Sequence, residues 1–363
     1  MQVREDLRPV GVDMHFRTSL KLVLCVLLLG ALPASRLTAQ YLTLEGQTGG
    51  FLTPTAYVVY MEKGQTFSHP AAGFHFIDAA SVIGNIETFN ITEGFANRAE
   101  AGYTRSVHQF GDQPTSTATP LGLSNLWNYD GMNVFHGKVV AFRDGQFGPW
   151  MPGIAVGGVI RTNDHFVSGA ANKTLTGTDK SYTNGDVYIA ATKTWLKPPV
   201  PFLVNFGWKA TNGTIFGIGG QSTRFGGRLF GGLGIPLPLG HGVVAVPSAG
   251  FTQQPKTSVN LNTLLNAALF QCEAALVCNP ASYPLMSSHL PTTLDYAVRV
   301  TQKDKPHFAF DIGVGQVAGN IGSIYVPNPF FNPLIPATGP PVVTTPVNLQ
   351  ARSVVGLGLS YRY

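Results

Sequence analysis

Apolar and polar residues alternate with a period of two along much of the chain. Phe202, Val204, Phe206, Trp208 and Ala210 alternate with Leu203, Asn205, Gly207, Lys209 and Thr211. Phe225, Leu229, Leu233 and Ile235 oppose Arg224, Gly226, Arg228 and Gly232, and Leu294, Tyr296, Val298 and Val300 oppose Asp295, Ala297, Arg299 and Thr301. Phe308, Phe310, Ile312 and Val314 oppose His307, Ala309, Asp311 and Gly313. The last residues, Val355, Leu357, Leu359, Tyr361 and Tyr363, alternate with Gly356, Gly358, Ser360 and Arg362. Successive side chains of a strand point to opposite faces, so each segment predicts a strand with one face against an apolar medium and the other against polar surroundings. Weaker alternation lies near 66–77, 84–93, 98–110, 132–143, 150–162, 184–196 and 241–253. With 347–363 the expected count is about 12, an even number, as single-chain bacterial barrels have.

The links between these segments alternate in length. Asp144 to Pro149, Lys197 to Pro201, Pro236 to Gly240 and Lys303 to Pro306 are short and rich in Gly or Pro. Gly111 to Asp130, Thr162 to Thr183, Thr252 to Thr292 and Gly319 to Pro346 are long. The link after the first strand breaks the rule by being short. The pattern predicts an all-β fold: an antiparallel transmembrane β-barrel with short periplasmic turns, long outer loops and both ends on the periplasmic side. Asn260 to Phe270 suits a short helix, and the Pro- and aromatic-rich stretch Asn320 to Pro346 suits a loop folded into the mouth.

The two ends agree with that class. Arg17 and Lys21 precede the apolar run Leu22 to Leu32, and Ala34, Thr38 and Ala39 follow it, the order of a secretory signal peptide. That run is too short for a spanning helix, which needs roughly 20 residues. Cleavage is expected near Ala39 or Gln40. The division expected is therefore 1–39 signal peptide, 40–65 N-terminal lead or plug, and 66–363 barrel. The final strand, with Leu359, Tyr361 and a terminal Tyr363, resembles the assembly signal of bacterial outer-membrane barrels. That resemblance implies outer-membrane lipid and the barrel-assembly machinery as partners.

Composition narrows the picture. Charged residues are 12% of the chain, about half the usual quarter of a soluble domain. No later stretch is long and apolar enough for a transmembrane helix. From residue 40 on, 19 Lys and Arg face 16 Asp and Glu, too mild an excess for nucleic acid, and no nucleic-acid motif is present. Cys272 and Cys278 fall in the run QCEAALVCNP. In an oxidising envelope compartment a short-loop disulfide is the first reading and free thiols the second. A metal site would need more ligands than the nearby His289.

Three runs carry a further resemblance: LEGQTGGFLTPTA near the mature N-terminus, GDVYIAATKTW (Gly185 to Trp195) and LVNFGWKATNGTIFGIGG (Leu203 to Gly220), with PGIAVGG (Pro152 to Gly158) alongside. Together they resemble a bacterial outer-membrane family classed as a domain of unknown function. They are similar, more distantly, to outer-membrane barrels linked to exopolysaccharide production. The resemblance spans about residues 44–220 and implies a barrel fold. It brings no active site and no cofactor.

Candidate functional residues are the charges on the polar faces. Lys209, Arg224, Arg228 and Arg299, with Arg352 and Arg362, stand against Asp295 and Asp311. On a lipid face each Arg or Lys would cost roughly 2–4 kcal/mol, so these side chains are expected to point inward or lie at the interfaces. Lys193 and Lys209, on adjacent strands joined by the KPPVP turn, are expected to share a lumen level. One reading is a lumen that favours small polar or anionic solutes, in a channel, facilitator or envelope export component. The other is a closed barrel whose interior charges pair, Asp295 with Arg299 for instance, and whose long loops do the work. Catalysis is not expected: no GxSxG occurs, and His108, His136 and His307 lie singly in strands.

Overall fold

The structure, a computed structural model, describes residues 41–62, 64–78, 84–109, 130–163, 183–196, 201–213, 216–217, 221–259, 286–289, 292–302, 307–327 and 342–362. Fifteen strands follow in chain order: β1 (Ala71–Asp78), β2 (Asn85–Phe95), β3 (Ala99–Gln109), β4 (Asp130–Phe142), β5 (Gly153–Asn163), β6 (Thr183–Trp195), β7 (Phe202–Gly213), β8 (Gln221–Gly234), β9 (Leu237–Gly240), β10 (Val243–Thr252), β11 (Lys256–Val259), β12 (Met286–His289), β13 (Thr293–Gln302), β14 (Phe308–Pro327) and β15 (Val342–Arg362). No helix occurs among the described residues.

Twelve of the strands close into one antiparallel ring, in which β8 pairs with β10, β10 with β13, and β15 with β1. The closing pair runs from Ala71 opposite Arg362 to Asp78 opposite Val355, so the last strand seals the first and leaves no edge. Each of the 12 expected strands has its counterpart. The short β9 folds back on β10, its Gly240–His241–Gly242 turn in positive φ, and β11 and β12 form a separate ribbon. These three lie in links expected to carry no strand. β14 and β15 extend beyond their expected limits and stay paired as far as Pro327 opposite Val342. The expected helix at Asn260 to Phe270, Cys272, Cys278 and Tyr363 lie outside the described residues.

The barrel's two faces follow the alternation. In β13, Leu294, Tyr296 and Val298 are exposed on the outside while Asp295, Ala297 and Arg299 are buried inside. The outer surface is an apolar band that includes Phe89, Ile91, Val156, Ile189, Phe206, Leu357 and Leu359. Aromatic residues gather at the short-turn ends: Phe67 lies 5.2 Å from Phe95, Phe142 5.6 Å from Phe147, and Trp195 stacks on Phe202 at 4.7 Å. Apolar band and aromatic girdle are the two marks of a barrel wall made for lipid. An arginine at Ile189, midway along β6, is therefore expected to cost about 2–4 kcal/mol in lipid, and one at the rim residue Trp150 about 0–1. Urea unfolding of the two variants in vesicles checks the difference.

Candidate functional site

The lumen is filled by the chain's own N-terminal segment, Tyr41 to Met61, almost all of it buried. Two tight turns fold it on itself. Thr43 N donates to Gln47 O at 2.7 Å and Gly46 N to Thr43 O at 2.9 Å, and then Gly50 N donates to Thr53 O at 2.9 Å. Gly46 has φ +86°, and a Cβ there would lie 2.6 Å from Thr104 Oγ1 on the wall. Only glycine meets both demands. The run LEGQTGGFLTPTA is thus the sequence of this plug.

The plug enters and leaves at the short-turn end. Tyr41 Oη bonds Thr301 Oγ1, and Met61 N donates to Asn97 Oδ1 at 3.0 Å. Tyr57 Oη donates to Asp144 Oδ2 at 3.0 Å and lies 2.6 Å from Thr194 Oγ1. Burial pushes the Tyr57 phenol above its ordinary pKa, so it remains a donor.

Between these anchors the wall's polar side chains meet the plug's backbone. Asn90 Nδ2 donates to Leu44 O at 3.1 Å, Thr104 Oγ1 to Glu45 O at 2.8 Å, Thr92 Oγ1 to Gly46 O at 2.7 Å, and Asn205 Nδ2 to Pro54 O at 2.9 Å. A buried segment without regular pairing needs such partners for its carbonyls. Apolar contacts accompany them: Leu44, Phe51 and Leu52 pack with Ile77, Ile86 and Ala297, Ala56 and Val58 with Val140 and Ala155, and Leu42 and Val59 with Ala71.

Buried charge networks fix the plug, two of them centred on Arg161 and Glu100. At its tip Glu45 receives Arg161 Nε at 2.5 Å and Nη2 at 2.9 Å. Arg161 also donates to Asp186 at 3.2 and 2.7 Å, and Lys209 Nζ stands 3.8 Å from Asp186. Lower down, Glu100 takes Lys138 Nζ at 3.0 Å, Thr48 N at 2.9 Å and Val59 N at 3.1 Å, and also accepts from the Thr48 hydroxyl. Lys138 Nζ donates in turn to Thr48 O at 2.9 Å and Thr55 O at 3.0 Å. The side chains of Lys138 and Glu100 are fully buried.

Of the residues singled out from sequence, Lys209, Arg228, Asp295, Arg299 and Asp311 stand on the inner face. Arg228 Nε donates to Gln254 O at 2.7 Å. Arg299 does not pair with Asp295. It forks onto Asp311, its neighbour across β14, at 2.6 and 2.9 Å, and donates to Gly49 O at 2.9 Å. Lys193 is not at a lumen level with Lys209. It has the strand parity of the outward Val187 and Ile189, at the short-turn rim, where it reaches Asp144 at 2.6 Å. The rim turn of Asp144 offers it a carboxylate there. The Arg224 and Arg352 side chains lie outside the described residues. Glu45, Glu100, Lys138, Arg161 and Asp186 escaped sequence reading. The parity of β4 and β5 held the signal, since His136 and Lys138 alternate with Phe135 and Val139, and Arg161 with Ile160.

No protein-family model matches the sequence and no curated protein is significantly similar to it, so the resemblance to the two outer-membrane families finds no support there. Among solved structures the chain is similar to a KdgM porin (TM-score 0.38, 7% identity, 81% of this chain and 99% of that one). It is also similar to the beta domain of the Bordetella autotransporter BrkA (0.35, 11%, 82% and 100%). A third is the translocator domain of the autotransporter NalP from Neisseria meningitidis (0.32, 9%, 82% and 87%). The barrel assignment itself rests on the closed ring of strand pairings.

Proposed function

We propose that the protein is an outer-membrane barrel, exported through a cleaved signal peptide, whose pore is closed at rest by residues 41–61 and passes small polar or anionic solutes when that segment withdraws. The observation that carries this reading is the polar seam between plug and wall, with both plug ends at one side of the barrel. A seam made of hydrogen bonds can re-form with water, whereas an apolar core cannot. Twelve strands fall between the filled barrels of about 8 and the open porins of 16–18, so emptying the lumen would leave a narrow passage. Its described charges are Lys138, Arg161, Lys209, Arg228, Arg299 and Arg362 against Glu100, Asp186, Asp295 and Asp311, a surplus that favours anions. Outer-membrane lipid around the apolar band, and recognition of Leu359, Tyr361 and Tyr363 by the barrel-assembly machinery, complete the proposal.

Planar-bilayer recording tests it. The full chain is expected to be nearly silent, and the chain lacking residues 41–61 to conduct with an anion-selective reversal potential in a salt gradient. A refolded deletion variant that does not conduct would sink the proposal. A second reading, a permanently closed barrel acting through its long outer loops, draws on the buried Glu45–Arg161–Asp186 network, because breaking such a pair costs roughly 3–5 kcal/mol. Under that reading removing Thr257 to Pro291 abolishes partner binding and leaves conductance at zero with or without the plug.

A further inference from the structure

Where β8, β10 and β13 face the plug, a gap remains between the two. Five of the inward residues lining it, Gly232, Gly234, Ser248, Gly250 and Ala297, are small. The gap is a cavity of about 90 Å³, bounded by Phe51 and Thr53 of the plug and by Leu203 and Val246 of the wall, and its surface is mostly apolar. Asp295, 3% exposed, lines this cavity, and its Oδ1 has no hydrogen-bond partner among the described residues. A Cβ on Gly250 would lie 2.5 Å from that oxygen, so the glycine makes room for the carboxylate. Arg299 and Asp311 also line the cavity, and the Arg299 guanidinium is committed to Asp311 and to Gly49 O.

Holding a carboxylate oxygen out of water without a hydrogen-bond partner costs free energy. A concave apolar site with one such group is the form of a small-molecule site. We propose that this cavity binds a small organic cation, its ammonium on Asp295 and its apolar body against Phe51, Leu203 and Val246. Phe51 belongs to the plug, so the occupied site ties plug to wall. The proposal does not depend on whether the barrel conducts.

Calorimetric titration of the refolded full chain with n-butylammonium, n-butanol and butyrate tests it. The amine is expected to bind about tenfold more tightly than the alcohol, the worth of one charged hydrogen bond, with butyrate not binding. Asp295→Asn should bring the amine down to the alcohol's affinity. Ala297→Leu, which keeps the carboxylate and fills the space, should remove both. Unchanged amine binding in the Asn variant, equal binding of butyrate, or no binding of the amine to the full chain would overturn the proposal. Heat-modifiable gel migration verifies that each variant is folded.

Discussion

Replacing Arg161 with methionine is expected to lower the unfolding free energy by about 3–5 kcal/mol, the usual cost of removing one partner from a buried ion pair. The guanidinium bridges Glu45 and Asp186, bonding each through two nitrogens. Without it two carboxylates, 8% and 5% exposed, face each other in the lumen, with Lys209 3.8 Å from one of them. Neutralising all three positions together (Glu45→Gln, Arg161→Met, Asp186→Asn) is expected to recover most of the loss. Urea unfolding in lipid vesicles, followed by tryptophan fluorescence, measures both. A single variant as stable as the parent would show that the network does not hold the plug.

Glu100→Leu is expected to have an effect of the same order, about 3–5 kcal/mol, for a related reason. Glu100 gathers both passes of the plug, Thr48 on the way in and Val59 on the way out, and neutralises the fully buried Lys138. Leucine would leave the ammonium with carbonyl partners alone. Adding Lys138→Met to Glu100→Leu should therefore cost less than Glu100→Leu by itself, a sign that a double-mutant cycle reads directly. On the proposed function, Glu100→Leu should also raise open-channel events in bilayer recordings while the ring stays closed.

The strands were legible because lipid imposes a strict demand on one face of each of them. Phe202 to Ala210 and Leu294 to Val300 alternate accordingly. The interior was less legible because it is partly a packed core around a plug rather than a water-filled lumen. Met132, Val134 and Val140 face inward on β4 and blur its polar face. Tyr188 and Phe230 do the same on β6 and β8, their rings 6.2 Å apart, with Phe230 lying where a Cβ on Gly207 would sit 2.1 Å away. Pairing partners were misread where same-strand spacing was used. Arg299 took the carboxylate directly across the ladder, where neighbours are about 5 Å apart, rather than the one two pleats along. The plug itself, irregular in period, gave no strand or helix signal, and its Gly- and Thr-rich turns become intelligible only against the wall that fixes them.

Tyr41 and Met61 lie at the same mouth, so the described plug is a loop that does not pass through the ring. A threaded segment would have to be in place before the last strand sealed the first, and could leave only by pulling a terminus the length of the barrel. A loop inserted from one side needs neither. The ring can close first and receive the loop afterwards, and the loop can be drawn out and returned with every wall strand still paired. Closing the ring and seating the loop are thereby separable, and a pull from the short-turn side alone would draw on the plug without unmaking the barrel.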